Sequence, residues 1–443
     1  MKNLLYLTLF ATLLFAAIPS DAQSIKTVAG SDSAGYTGDG NAATIARLSY
    51  PAAVRCDRQG NMYIADQRNH VVRKVSPQGT ISTVAGTGVV GYTQQGVPAT
   101  AALLSRPSDI TFDAEGNMYI ADAGNNIICK VTPKGILTVN AGIGSDGHTG
   151  DGGPATAAQI HNPIGLVFDK KGNLYFSADG NYVIREIDTA GNISSFAGTG
   201  MSGNSGDSGP AAAATIGLTG YLAIGPYGEL YIPDYANNVV RKVDTLGKIS
   251  TIAGNGSMGN CGDGGPATAA CINSPYAVII DSARSLYISE AFGYVIRKVD
   301  SFGNISTIAG TGMNGFSGDG NPATAAQFDA NLNCSAMDAA GNLFIADPNN
   351  NRIRRITYNS TGINEVNRAS PNVAIYPNPA QNELFVKADE TITNIDMMDI
   401  EGKRYSIQWI ALNKSRSGNI SSLPAGMYLV RVNGVYAGRF VKE

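Results

Sequence analysis

Five aspartates, Asp39, Asp151, Asp207, Asp263 and Asp319, sit in near-copies of one glycine-rich loop, written in full as Gly150-Asp-Gly-Gly-Pro-Ala-Thr-Ala-Ala158. Carboxylates among glycine carbonyls are calcium chemistry, which makes these five the weak metal candidates of the chain. One carboxylate per loop is few beside the roughly six to eight oxygens that calcium takes. The competing expectation is that each Asp bonds its own loop, ahead of a short helical turn whose proline takes the first position. A second pairing recurs with it. Acids at Asp66, Asp122, Asp234, Glu290 and Asp347 are matched by bases at Arg73, Arg185, Arg241, Arg297 and Arg354. Acid and base stand seven residues apart across a hairpin, as 66 to 73, so they read as ties between strands. The third copy slides, with Ala178 in the acid's place and Asp179 after it. The second carries Gln95 for the loop aspartate and Cys129 for the arginine.

Other chemistry is sparse. The three histidines are His70, His148 and His161, and they do not repeat. No nucleophile elbow, useful carboxylate pair or metal signature appears, so no catalytic residue is assigned. What does stand out is a set of residues that break the repeat where each copy begins: Tyr50, Arg106, His161, Asn162, Tyr221 and Tyr276. Aromatics and an arginine on loops of a rigid scaffold suit a ligand-binding patch.

The elements that position these residues follow from one period. An Ala-Gly pair ends at Gly30, Gly86, Gly142, Gly198, Gly254 and Gly310, each 56 residues after the last. In the first copy, residues 50–57, 62–66, 71–75 and 80–85 read as strands, with turns at Arg58-Gln-Gly-Asn61 and Pro77-Gln-Gly79 and a hairpin loop at 67–70. Four short antiparallel strands per repeat make a β-propeller blade. The sixth copy stops after Arg352-Ile-Arg-Arg-Ile356 without a fourth strand. Ser24-Ile-Lys-Thr-Val-Ala-Gly30 is a fourth strand without the other three. Joined, they close a ring and remove two free edges. The expected fold class is therefore all-β, a six-bladed β-propeller whose last blade is closed by the N-terminal strand, followed by a small β-sandwich.

Composition agrees with many short, tightly turned strands: 53 glycines, 20 tyrosines and only 15% charged residues in 443. A formal charge of −3 and the lack of a basic block argue against nucleic acid as a partner. Residues 1–22 read as a signal peptide: Lys2, an apolar core from Leu4 to Ile18, and Ser20-Asp-Ala22 before the cut. No other stretch is apolar enough to span a membrane, so the mature chain is expected to carry no transmembrane segment. Cys261 and Cys271 flank one loop. A disulfide there fits an exported protein, and two unpaired small residues fit as well. Cys56 and Cys334 lie in first strands of copies adjacent in a closed ring, where a pairing is open to them, and read first as core cysteines.

Beyond the repeats, residues 357–370 are polar and without period, a linker. Residues 371–443 carry short strands punctuated by turns. The domain division expected is thus 1–22, 23–356, 357–370 and 371–443.

Two resemblances follow from these residues. Leu48-x-x-Pro51, Gly60-Asn-Met-Tyr-Ile-Ala-Asp66 and Asn69-x-Val-Val-Arg-Lys-Val75, echoed around the ring, resemble the NHL-repeat propellers in an exported bacterial form. That family implies a platform for protein or ligand, and in some branches a lyase or hydrolase. Tyr376-Pro-Asn-Pro379, Asp399-x-x-Gly-Lys403, Leu423-x-x-Gly-x-Tyr428 and a late lysine resemble the C-terminal sorting domain of type IX secretion. It implies the type IX machinery as partner, a host of the Bacteroidota kind, and delivery to the outer-membrane surface or beyond. The resulting expectation is a secreted or surface-held monomer that binds extracellular protein or glycan. Its alternative is an extracellular lyase or hydrolase with a site at the central pore. Calcium aside, no cofactor is expected.

Overall fold

The computed structural model describes residues 23–93, 95–358, 373–388, 391–399, 404–412, 415–432 and 435–443. The signal-peptide reading of 1–22 and most of the linker reading of 357–370 lie outside the described residues. The chain divides into two compact units, residues 1–360 and 361–443.

The first unit is a six-bladed propeller. Five blades hold sequence-consecutive strands, as in Pro51–Cys56, Met62–Asp66, Val71–Val75 and Ile81–Ala85 of the first. The sixth holds Asn333–Met337, Leu343–Asp347 and Arg352–Tyr358, and its fourth strand is Gln23–Ala29. The register of that closure runs from Gln23 opposite Tyr358 to Ala29 opposite Ile353. Joining the propeller's first and last strands in one sheet gives each a backbone partner, which a ring needs.

Core lies between blades rather than within them. Tyr119, Ala121 and Ile128 of the second blade pack with Leu166, Leu174 and Phe176 of the third. A single four-stranded sheet has no way to bury both faces, and stacked neighbours do it for each other. The period-keeping glycines have a local reason. Gly86 has φ +88°, and a Cβ there would sit 2.4 Å from the His70 carbonyl oxygen, so neither the conformation nor the space admits a side chain.

The loop leading into each blade lies over that blade's outer strands. Its Ala-Thr-Ala stretch forms a 3-10 turn, as Ala155–Ala157, with Pro154 capping it in an extended conformation (φ −61°, ψ 131°). The proline therefore precedes the turn instead of opening it, and Pro154 bridges to Asn192 at the head of the fourth strand.

The second unit is two four-stranded sheets around one core. One sheet orders Ala374–Tyr376, Glu383–Lys387, Ser415–Asn419 and Trp409–Leu412. The other orders Arg404–Tyr405, Ile395–Asp399, Gly426–Val432 and Val435–Lys442. Leu384, Val386, Met397, Tyr428, Val430 and Phe440 fill the space between them. Among the described residues, no helix is long and apolar enough to cross a membrane.

Candidate functional site

The loop aspartates are occupied by arginine. Arg73, Arg185, Arg241, Arg297 and Arg354 are fully buried on third strands. Their guanidiniums bond Asp39 (2.6 Å), Asp151, Asp207 (2.7 Å), Asp263 (2.5 Å) and Asp319 (2.7 Å). The second oxygen of each accepts a fourth-strand N–H: Thr83, Ser195, Thr251, Thr307 and, in the closing strand, Thr27. Both oxygens are engaged and the charge is already paired with a cation, which leaves each of these five carboxylates little to offer calcium. The expectation that each Asp serves its own loop is corrected, because it ties that loop to the blade's outer strands. The same arginines approach the buried strand-end acids, Arg297 to Glu290 at 3.2 Å and Arg73 to Asp66 at 3.4 Å. Among the described residues, no group of three or more His, Cys, Asp or Glu gathers to hold a metal.

The second blade lacks this latch. Cys129 is buried where the arginine would be, Gln95 is exposed where the aspartate would be, and Asp122 accepts from Ser105 N–H and Asn125. Burial pushes the Asp122 carboxyl up to about 7. Cys261 and Cys271 are joined in the fifth loop. In the third and fourth copies the equivalent positions meet through Thr149–Gln159 and Ser205–Thr215 hydrogen bonds of 2.9 and 2.8 Å, so the disulfide replaces a bond the other loops make with hydroxyls. Cys56 is free and half-buried, and the Cys334 side chain lies outside the described residues.

At the axis the backbone repeats while the side chains do not. Each hairpin between second and third strands carries a left-handed residue: His70, Asn126, Tyr182, Asn238, Tyr294 and Asn351, with φ from +53° to +56°. Four of these side chains hold the lead-in residue of the next blade. Asn351 accepts the Tyr50 N–H (3.1 Å), His70 Nδ1 the Arg106 N–H (3.1 Å), Asn126 the Asn162 N–H (2.8 Å) and Asn238 the Ser274 N–H (3.0 Å). Those four lead-in residues are also left-handed, with φ of +53°, +53°, +35° and +54°. Such backbone is costly for bulky residues and persists only where its surroundings enforce it, a condition that clusters at binding sites.

Three of the side chains so directed, Tyr50, Arg106 and Asn162, help to line a cavity of about 160 Å³ at the propeller's axis, to which every blade contributes. Tyr50, Arg106, Asn162 and Asn331 form its rim. Ala52, Ser108 and Ile164, two residues further along their strands, lie deeper with Tyr221. The fourth blade supplies the plug. Its first strand is reduced to Ala223–Ile224, and the preceding Gly220-Tyr221 crosses the channel. Tyr221 is 2% exposed and donates its hydroxyl to the Ser108 carbonyl oxygen of the second blade (3.1 Å). Its ring meets Tyr276 edge to face at 5.5 Å, and Tyr276 meets Tyr235 at 5.4 Å. Tyr235 then donates to Asp179 (3.1 Å), whose carboxyl burial holds above its ordinary range.

Five of the six repeat-breaking residues thus share one cavity. The sixth, His161, stands beside it: its Nδ1 bonds Asp146 at 2.5 Å and its ring lies over Gly180. Gln67, Asp179 and Asn331 also line the cavity, outside the set of residues that break the repeat at each copy's start. The signal for Asp179 was the slip of the acid by one place in the third copy, which moves it from the strand end into the mouth.

Residues 374–441 match the family described as "Secretion system C-terminal sorting domain". Mouse teneurin-4 is 27% identical over 90% of this chain, which spans 14% of that protein's length. An auxiliary nutrient binding protein from Bacteroides thetaiotaomicron superposes with a TM-score of 0.55 at 17% identity, over 76% of each chain. One from Bacteroides ovatus gives 0.54 at 15% identity, again over 76% of each. The chain is thus a six-bladed propeller similar in sequence to NHL-type proteins, followed by a type IX secretion sorting domain that implies export to the cell surface or outside.

Proposed function

We propose that this protein is an exported binding module that takes the end of a glycan in the cavity at the propeller's axis. The observation that carries the reading is that cavity itself: a concave site lined from six blades, with tyrosine rings, amides and one carboxylate converging. Aromatic faces with a few convergent polar groups are how proteins hold polyhydroxylated rings, and a recess of this size takes one sugar unit more readily than a protein surface. A protein–protein interface of ordinary size needs about 800 Å² per partner. In this reading residues 1–22 are an export signal and 357–370 a tether between the binding ring and the sorting domain.

The test is a glycan array probed with the full chain, followed by calorimetry on the hits. Tyr50→Ala and Asp179→Asn each lower affinity at least tenfold. Wild-type affinity in both variants sinks the reading. One observation favours the alternative of a hydrolase or lyase: Asp146 and His161 form a carboxylate–imidazole pair at the rim, beside Asp179. Turnover of an array hit, abolished in His161→Gln, would establish that alternative; slow-exchange binding without product excludes it for that ligand.

A further inference from the structure

We propose that the pocket between the first and second blades, contiguous with the axial cavity, is an anion subsite, so that the glycan end it receives is acidic, carrying a carboxylate or a sulfate. The inference rests on the glycan reading above and specifies its ligand. The pocket has a volume of about 370 Å³ and is lined by Tyr50, Gln67, Arg68, His70 and Arg106, with no carboxylate among them. It shares Tyr50, Gln67 and Arg106 with the axial cavity, so one ligand can reach both.

Three donors converge here. Arg68 lies over the Tyr50 ring at 4.5 Å, which fixes its plane beside the pocket. Arg106 is placed by its left-handed backbone, whose N–H is held by His70. Because His70 Nδ1 accepts that N–H, the ring proton sits on Nε2, leaving a neutral imidazole with a donor to offer. Among the described residues, neither Arg68 nor Arg106 pairs with a carboxylate, although every buried arginine of the latch does. Asp329, whose charge reaches Tyr50, is taken up by Asn314 and its own loop. In a chain of net charge −3, two unpaired guanidiniums facing one recess are a bidentate carboxylate or sulfate site. Asp179 at the far wall of the axial cavity keeps the negative group at the first-and-second-blade end and accepts hydroxyls at the other.

The experiment is calorimetry of the full chain with trigalacturonate, neutral galactotriose and a sulfated galactotriose that carries no carboxylate. The subsite predicts at least tenfold tighter binding of one acidic ligand than of galactotriose, weakening between about 50 and 300 mM NaCl. Whichever acid binds tighter assigns carboxylate or sulfate. Arg68→Gln with His70→Asn, the residue found at that place in the second, fourth and sixth blades, brings the preference below threefold. Equal affinity for acidic and neutral sugars, or a preference that survives the double variant, overturns the subsite and leaves the glycan reading intact. Binding of none of the three at millimolar sugar overturns both.

Discussion

Two rings of side chains run around this propeller on the same repeated backbone, and they obey opposite rules. In the outer ring the residue types are kept: arginine on the third strand, aspartate in the loop, blade after blade, with every guanidinium buried. In the inner ring the backbone is kept and the types change. Tyr50, Arg106, Asn162 and Ser274 share a left-handed conformation and a bond from the previous blade, yet have little chemistry in common. A repeated residue answers a need that every blade has. A residue that varies on an invariant frame answers a need that the molecule has once.

The second blade sharpens the comparison, since it lacks both members of the latch. An arginine without its aspartate would be a buried, half-paired charge, and an aspartate without its arginine would be a loop with nothing to hold. Cys129 and Gln95 are what remains when the pair is given up as a unit.

The largest expected effect is therefore on the outer ring. Arg297→Ala leaves Glu290 buried without its cation and should cost about 3–5 kcal/mol in urea unfolding, with ligand affinity of the folded protein unchanged. A loss below 1 kcal/mol would erase the distinction between the rings.

Next comes pH. The Asp122 carboxyl, pushed up to about 7, keeps its proton in the folded chain over a range where the unfolded chain, near the ordinary aspartate value, has released it. Its contribution is present in full below about pH 4 and disappears as pH rises through about 7, a change on the order of a few kcal/mol. Stability measured from pH 4 to 8 should fall less steeply in Asp122→Asn than in the wild type. Parallel curves would show that Asp122 ionises normally despite lacking an arginine.

The disulfide ranks third. Closing ten residues contributes roughly 2–3 kcal/mol by chain entropy, less what the hydroxyl bond of the other loops provides. Cys261→Thr with Cys271→Gln, the pair found in the third copy, should cost about 1–2 kcal/mol in a thermal melt. An effect of similar size follows from rebuilding the missing latch. Cys129→Arg alone should destabilise by about 1–3 kcal/mol through overpacking, and adding Gln95→Asp should recover at least about 1. Simple additivity in that cycle would mean the pair is not a unit.

The smallest effect on stability belongs to the inner ring. Arg106→Gln should stay within about 0.5 kcal/mol of wild type in unfolding, while losing about tenfold, or 1.4 kcal/mol, in affinity for an acidic glycan. Unchanged affinity with a lowered melting point would place Arg106 in the outer ring's company.

The 56-residue period, the four strands in each copy, the closing of the sixth blade by Gln23–Ala29 and the sorting domain were all legible in the chain. These are local patterns, turn residues and alternating strands a few residues long, repeated until chance is excluded. Where the mouth would be was legible as well, because Tyr50, Arg106 and Asn162 interrupt a pattern that is otherwise kept. The fates of the loop aspartates and of Tyr221 were not. Asp39 meets an arginine 34 residues away, and Tyr221 meets a carbonyl 113 residues away across the axis. Neither distance has a signature in local spacing: Asp39 reaches Arg73 only when its loop folds back over its own blade, and Tyr221 reaches Ser108 only when the blades close into a ring. The repeat by itself determined the frame; which charges the frame neutralised and which it left facing the mouth was decided by the tertiary structure.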